Sequence, residues 1–117
     1  MNSKSRLKKK MDGLWYAALH RRWKRCAKCN SSPVEIHHLV PKARLATAWL
    51  PENGLPLCSE HHRLSKVFSA HETKNEFLLW LKDKYPGKWA WYMANRERLE
   101  YSADLKEKLE QLKTWAL

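Results

Sequence analysis

CAKCNSSPVEIHHLVPKARLATAWLPENGLPLCSEHH, residues 26 to 62, decides how this chain folds. It opens on Cys26-x2-Cys29, carries Glu35-Ile36-His37-His38 in its middle, reaches Asn53, and closes on Cys58-x2-His61 with His62 directly behind. Two cysteines at a two-residue spacing form half of a tetrahedral metal site, and Cys58 with His61 supply the other half at the same spacing. That assignment uses all three cysteines of the chain. It leaves His37, His38, Asn53 and His62 without a structural task, and these become the candidate functional residues.

Outward from that stretch, the chain of 117 residues has room for one compact domain with appended helices. The expected division is a basic flexible tail over 1–12, a core with its preceding basic helix over 13–71, and a helical extension over 72–117 belonging to the same domain. The formal net charge of +11 points to an acidic polymer as partner, nucleic acid before an anionic membrane surface. Residues 1–30 hold ten Lys or Arg against one Asp, so that charge is concentrated at the N-terminal end. An odd cysteine count with a C-x2-C pair and no apolar leader fits metal ligation in a reducing cytoplasm better than a disulfide framework. No apolar run approaches the roughly 18 residues of a membrane span.

Along the chain, Leu14, Trp15, Ala18, Leu19 and Trp23 recur at helical spacing and predict a helix over 13–25. Its cationic face, Arg21, Arg22, Lys24 and Arg25, is a candidate phosphate-contacting surface. Asn30-Ser31-Ser32-Pro33 is a turn by composition, and Val34–Leu39 suits a strand. A long connection follows and ends at Asn53-Gly54, read as a tight turn into a return strand over Leu55–Leu57. Ser59 is a candidate cap for a helix carrying His61, His62 and Lys66. Thr73-x-x-Glu76 reads as a capping box before a helix with Phe77, Trp80 and Leu81 inward, which Pro86-Gly87 ends. The last helical stretch, about 88–117, has two stripes out of phase across Ser102-Ala103-Asp104, so a break is expected there with Ser102 as a cap. The fold class expected is an α-rich α+β protein.

Phosphodiester hydrolysis needs a water made nucleophilic, a cation against the charge that builds on phosphorus, and a stabilised leaving oxygen. Histidine acts as a base near neutral pH. Asn53 could fix the orientation of such an imidazole, while His37 and His62 could hold one divalent ion beside it. His37 and His38 would point to opposite faces of an ideal strand, so both reach one site only where the strand ends or twists. Arg44 and Lys66, with Lys42, lie close enough in sequence to contact phosphate. His71 could be an extra metal or phosphate contact, but reads first as an ordinary linker histidine.

The order C-x2-C, His-His, Asn, C-x2-H-His, with Lys66 four residues on, resembles the HNH endonucleases. The likeness covers Cys26 to Lys66 and implies a ββα-metal core on a structural zinc held by Cys26, Cys29, Cys58 and His61. It implies His38 as general base, Asn53 as its orienting residue, a catalytic ion on His37 and His62, and products with 5′-phosphate and 3′-hydroxyl ends. The stretch from Arg44 to Cys58, with His71 and the helix of Phe77 and Trp80, also looks like phage recombination endonucleases of the NinG or Rap kind. Two departures stand out: the family more often has Asp at the His37 position and Cys at the His61 position. Cys3His is an ordinary zinc set. Replacing a hard carboxylate by imidazole at position 37 shifts preference from Mg2+ toward Mn2+, Ni2+ or zinc.

The expectation is therefore a metal-dependent DNA endonuclease, phage or prophage encoded and acting in the bacterial cytoplasm. It would need no small-molecule cofactor and be a monomer or weak homodimer. A non-catalytic zinc-stabilised nucleic-acid-binding protein is the competing reading, since the basic N-terminal end alone would explain binding. A toxin or anti-phage nuclease would share the chemistry and differ in biology.

Overall fold

Leu7, Met11, Leu14, Trp15, Ala18 and Leu19 lie on one stripe of helix α1, Ser3–Arg22, and Met11, Trp15 and Leu19 are wholly buried. The computed structural model describes residues 2–98 and 104–117. Residues 3–12 are thus helical, in place of the expected flexible tail. Met11 and Leu7 continue the apolar stripe one and two turns upstream of Leu14 and Trp15, and Asn2 Oδ1 caps the helix by accepting from the Ser5 amide at 2.8 Å. The helix ends at Trp23, two residues before the expected limit, where the backbone turns extended.

Strand β1, Glu35–His38, pairs antiparallel with β2, Gly54–Leu57, so that Glu35 faces Leu57 and His37 faces Leu55. Alternation gives the hairpin two distinct faces. Ile36 and His38 turn toward α1, where Ile36 joins a core of Trp15, Leu19, Trp49 and Leu112. Glu35 and His37 share the other face with Leu55 and Leu57, which pack with Val40, Phe77, Leu81 and Tyr92.

Asn53-Gly54 does not make the expected tight turn. Asn53 ends a 3-10 turn, Pro51–Asn53, and Gly54 begins β2 with an ordinary negative φ of −106°. Glycine is required there by packing: a Cβ would lie 2.5 Å from Leu19 Cδ1 and 3.1 Å from Ile36 Cγ2. The connection from β1 is buried over Leu45–Trp49. Trp49 Nε1 ties it to Asp12 Oδ1 at 2.8 Å, and Trp15 Nε1 donates to the Leu50 carbonyl at 2.8 Å.

After β2 comes a single π-helical turn, Glu60–Leu64. It is shorter than the helix expected there; Ser59 makes no side-chain cap and Lys66 lies beyond it in a bend. Thr73 does precede helix α2, Lys74–Lys84, without capping it, its hydroxyl oxygen accepting instead from the Ser69 amide at 2.9 Å and donating to the Ser69 carbonyl at 3.0 Å. Pro86 both ends α2 and opens α3, Pro86–Asn95, as its first-turn proline. Helix α4, Leu105–Ala116, is capped by Asp104, whose Oδ1 accepts from the amides of Lys106 and Glu107, and packs Leu112 and Ala116 on α1. The expected cap Ser102 lies outside the described residues. The result is a helix-rich α+β arrangement.

Candidate metal centre and cationic cleft

The Cys26–Cys29 knuckle closes on itself. The Cys26 amide donates to Ser31 O at 2.8 Å and the Asn30 amide returns to Cys26 O at 2.8 Å, with Asn30 in the left-handed region at φ 63°, which asparagine tolerates. The Ala27 amide then donates to Pro56 O at 2.9 Å, joining knuckle to β2. This brings Cys26, Cys29, Cys58 and His61 together, all four ligand atoms within 4.8 Å of one another. Zinc bonds of about 2.3 Å to sulfur and 2.0 Å to nitrogen at tetrahedral angles require S···S near 3.8 Å and S···N near 3.5 Å. Cys29 Sγ to Cys58 Sγ is 3.8 Å, and His61 Nδ1 is 3.3 Å from Cys58 Sγ and 3.8 Å from Cys26 Sγ. The donor set fits zinc. The Ser31 hydroxyl, 2.9 Å from Cys29 Sγ, lowers that thiol to about 6, favouring the thiolate that a metal takes, while burial pushes Cys26 up.

A second group lies on the hairpin face carrying Glu35 and His37. His37, His62 and His71 form a metal-compatible cluster. Sequence reasoning pairs His37 with His62 and prefers a linker role for His71, which the backbone folds back: the Ala70 amide donates to His61 O at 2.8 Å and the His71 amide to His62 O at 3.0 Å. Glu35, which sequence reasoning passes over, holds His62 Nδ1 at 2.5 Å. A carboxylate oxygen only accepts, so Nδ1 carries a hydrogen, and His62 Nε2 faces His71 Nε2 at 3.1 Å. The same bond lowers the Glu35 carboxyl. Burial drives His37 well below the ordinary imidazole range, assisted by the neighbouring His62 and His71, and burial also lowers His71. Imidazoles kept neutral in this way are ready to ligate.

His38 sits on the opposite hairpin face, stacked on Trp15 at 4.0 Å between ring centres and nearly parallel at 13°. Its Nε2 lies 3.1 Å from the Ala48 carbonyl, which fixes the hydrogen on Nε2 and leaves Nδ1 as the acceptor. Burial pushes its pKa down to about 4, against an ordinary imidazole value of 6.5. Asn53 does not touch this ring. Its Oδ1 accepts from the Val40 amide at 2.7 Å, and its Nδ2 donates to Val40 O at 2.9 Å and Thr47 O at 3.2 Å. It therefore shapes the segment that carries Ala48, and acts on His38 through that carbonyl.

Both faces open into one cleft of about 730 Å³, lined by His37, His38, His62 and His71 and by the cations Lys42, Arg44, Arg63, Lys74 and Arg96. Strand β1 ends at His38 and so presents its last two side chains, from either face, to the same space. Arg44 is steadied at the rim by a bond to the Arg96 carbonyl. Lys66 does not line the cleft. Arg21 and Arg22 are engaged elsewhere: they donate to the Ala116 and Trp115 carbonyls at 2.6 and 3.1 Å, capping the end of α4, with Arg22 also over the Trp115 ring. Lys24 and Arg25 stay exposed.

No family model, no curated protein and no solved structure matches this chain. Among the described residues, no helix is long and apolar enough to cross a membrane.

Proposed function

We propose that this protein is a metal-dependent DNA endonuclease of the HNH type. In this reading the β1–β2 hairpin and the turn of His61 and His62 form a ββα-metal core stapled by zinc on Cys26, Cys29, Cys58 and His61. The observation that carries it is the convergence of His37, His62 and a half-buried His38 on one cleft rimmed with cations.

The donor chemistry of His37 and His62 suits a divalent ion, and such an ion would neutralise charge on the scissile phosphate and the leaving oxygen. This chain's own residues supply the rest. His38 Nδ1 accepts a proton from the attacking water, and its Nε2–H stays on the Ala48 carbonyl. Trp15, stacked beneath the ring, keeps it from turning. Arg44, Arg63 and Lys74 bind phosphates of the strand as it enters. A place in the bacterial cytoplasm under phage or prophage control belongs to the same reading.

The exposed basic residues of α1, Lys4, Arg6, Lys9 and Lys10, favour a second reading, a zinc-stabilised DNA-binding protein without catalysis. Nicking of supercoiled plasmid separates the two. Wild type should nick with Mn2+ or Ni2+, and His38→Ala should not, while both bind DNA equally. Binding by both proteins with no cleavage under any metal would leave the second reading in possession.

A further inference from the structure

We propose that His71 is the third protein ligand of the ion in this cleft. It completes an all-imidazole centre, buttressed by Glu35, that takes Zn2+, Ni2+, Co2+ or Mn2+ in preference to Mg2+. The ion site is argued from its own geometry, and only its catalytic use rests on the nuclease reading.

The three rings surround a common point. Their centres are separated by 5.1 Å for His37 and His62, 5.2 Å for His37 and His71, and 4.7 Å for His62 and His71. An imidazole bound at about 2.0–2.1 Å places its ring centre about 3.2 Å from the ion, so imidazoles at octahedral to tetrahedral angles have centres about 4.5 to 5.2 Å apart. The observed triangle falls on that range. The rings are also steeply inclined to one another, at 68°, 85° and 61°, as blades about an axis and unlike a stack.

Hydrogen bonding leads to the same place. Because Glu35 engages His62 through Nδ1, the Nε2 of His62 is the nitrogen turned to the cluster, 3.1 Å from His71 Nε2. A shared cation satisfies both nitrogens at once. A carboxylate behind a ligating imidazole fixes its tautomer and raises its basicity. Glu35 is held in turn by Arg63 Nε at 3.5 Å, so it is a positioning residue with its own support. His71 reaches the site through backbone bonds to His61 and His62, so one short segment sets both metal groups. Three neutral nitrogens with no anionic oxygen disfavour Mg2+, which prefers oxygen donors.

The test is equilibrium binding of Ni2+ to the full-length zinc-loaded protein, with Ni K-edge absorption to count ligands. Wild type should take one Ni2+ beside one retained zinc, with three imidazoles and no sulfur around nickel. His71→Ala should weaken Ni2+ by more than tenfold and keep its zinc. Glu35→Gln, which leaves every ligand in place, should weaken it by roughly 10- to 100-fold. A nickel shell of two imidazoles or fewer in wild type, or unaltered Ni2+ affinity in a folded His71→Ala, overturns the proposal. The absorption measurement needs no variant, so it decides even where His71→Ala fails to fold. Nicking by the same proteins is read separately: three-imidazole nickel without nicking sinks the nuclease and keeps the centre. Nicking that survives in His71→Ala equally with Mg2+ sinks the third ligand and keeps the nuclease.

Discussion

Asn53 and Val40 are bonded in both directions: the Asn53 amide accepts from the Val40 N–H at 2.7 Å and donates to the Val40 carbonyl at 2.9 Å. The side chain imitates the rung of a strand, and a third bond to Thr47 O pins the segment that ends at the carbonyl partner of His38. Asn53 is wholly buried, so these groups have no water to turn to. Asn53→Asp keeps the shape and loses both donations, placing a carboxylate against two carbonyls. It should cost roughly 2–4 kcal/mol in denaturant unfolding and abolish nicking. An Asp variant within about 0.5 kcal/mol of wild type would show that the amide does not organise this segment.

The arginines that cap α4 and the cations just beyond α1 should separate experimentally. Arg21→Ala removes a bond to the Ala116 carbonyl and should lower stability by about 1–2 kcal/mol, with DNA affinity at matched salt little changed. Lys24→Ala with Arg25→Ala should leave thermal unfolding unaltered. If these two cations contact phosphate, their loss lowers the slope of log affinity against log salt by about 2. Equal effects of the two sets on binding would mean that the α4 cap is also part of the DNA surface.

Zinc removal should reach both metal-compatible groups, because His61 belongs to one and its carbonyl receives the Ala70 amide that leads to His71. Cys58→Ser should lower Tm by at least about 10 °C. It should also weaken Ni2+ in the cleft, although Cys58 is not among the cleft's ligands. Calorimetry and nickel titration on the same sample check this. Unchanged Ni2+ affinity in a zinc-free, folded protein would uncouple the two.

What the sequence discloses divides by how far a signal must travel. Cys26-x2-Cys29 and Cys58-x2-His61 are legible because each half-site is fixed within one turn of chain. The first strand is legible from the β-branched and apolar run of Val34 to Leu39, and the two-residue alternation of a strand by itself places Glu35 on the face of His37. That signal could have found the Glu35–His62 bond. Nothing local marks His71, whose position depends on the path of residues 65–70 and on two amides returning to the π-helical turn. The first turns of α1 are illegible because charged and polar neighbours mask Leu7, whose partners come together only in the folded core. Whether Arg21 meets phosphate or a helix end is likewise a tertiary fact, invisible in a run of cations.

Lys88 gives the fold a pH signature independent of the metal sites. Its ammonium donates to Gly54 O at 2.6 Å and Glu52 O at 3.1 Å and lies over the Trp23 ring at 4.8 Å, fastening α3 to the start of β2. Burial lowers its pKa to about 8, against an ordinary value near 10.5. Between those values the unfolded chain holds a proton that the folded chain has released. Stability from this group is therefore complete above about 10.5 and lost as pH falls through 8. Stability should rise from about pH 8 toward pH 10 in wild type relative to Lys88→Met, measured by urea unfolding. Parallel profiles for the two proteins would place the burial penalty elsewhere.

His38 supplies the corresponding signature in activity. With its pKa pushed to about 4 by burial, the imidazole is an unprotonated acceptor throughout the range in which an ordinary histidine near 6.5 would be charging. The folded value lies below the unfolded one, so the unfolded chain protonates first. Stability tied to the neutral ring is complete above about 6.5 and lost as pH falls through 4. The Ala48 carbonyl opposes this shift by favouring the protonated ring and does not reverse it. Nicking with saturating Mn2+ should therefore hold at least about half its pH 8 rate at pH 5.5, and His38→Ala should be inactive across the same range. An acid limb centred near 6.5 in wild type would assign the base to a solvent-exposed imidazole, and His38, stacked on Trp15, would then be a packing residue.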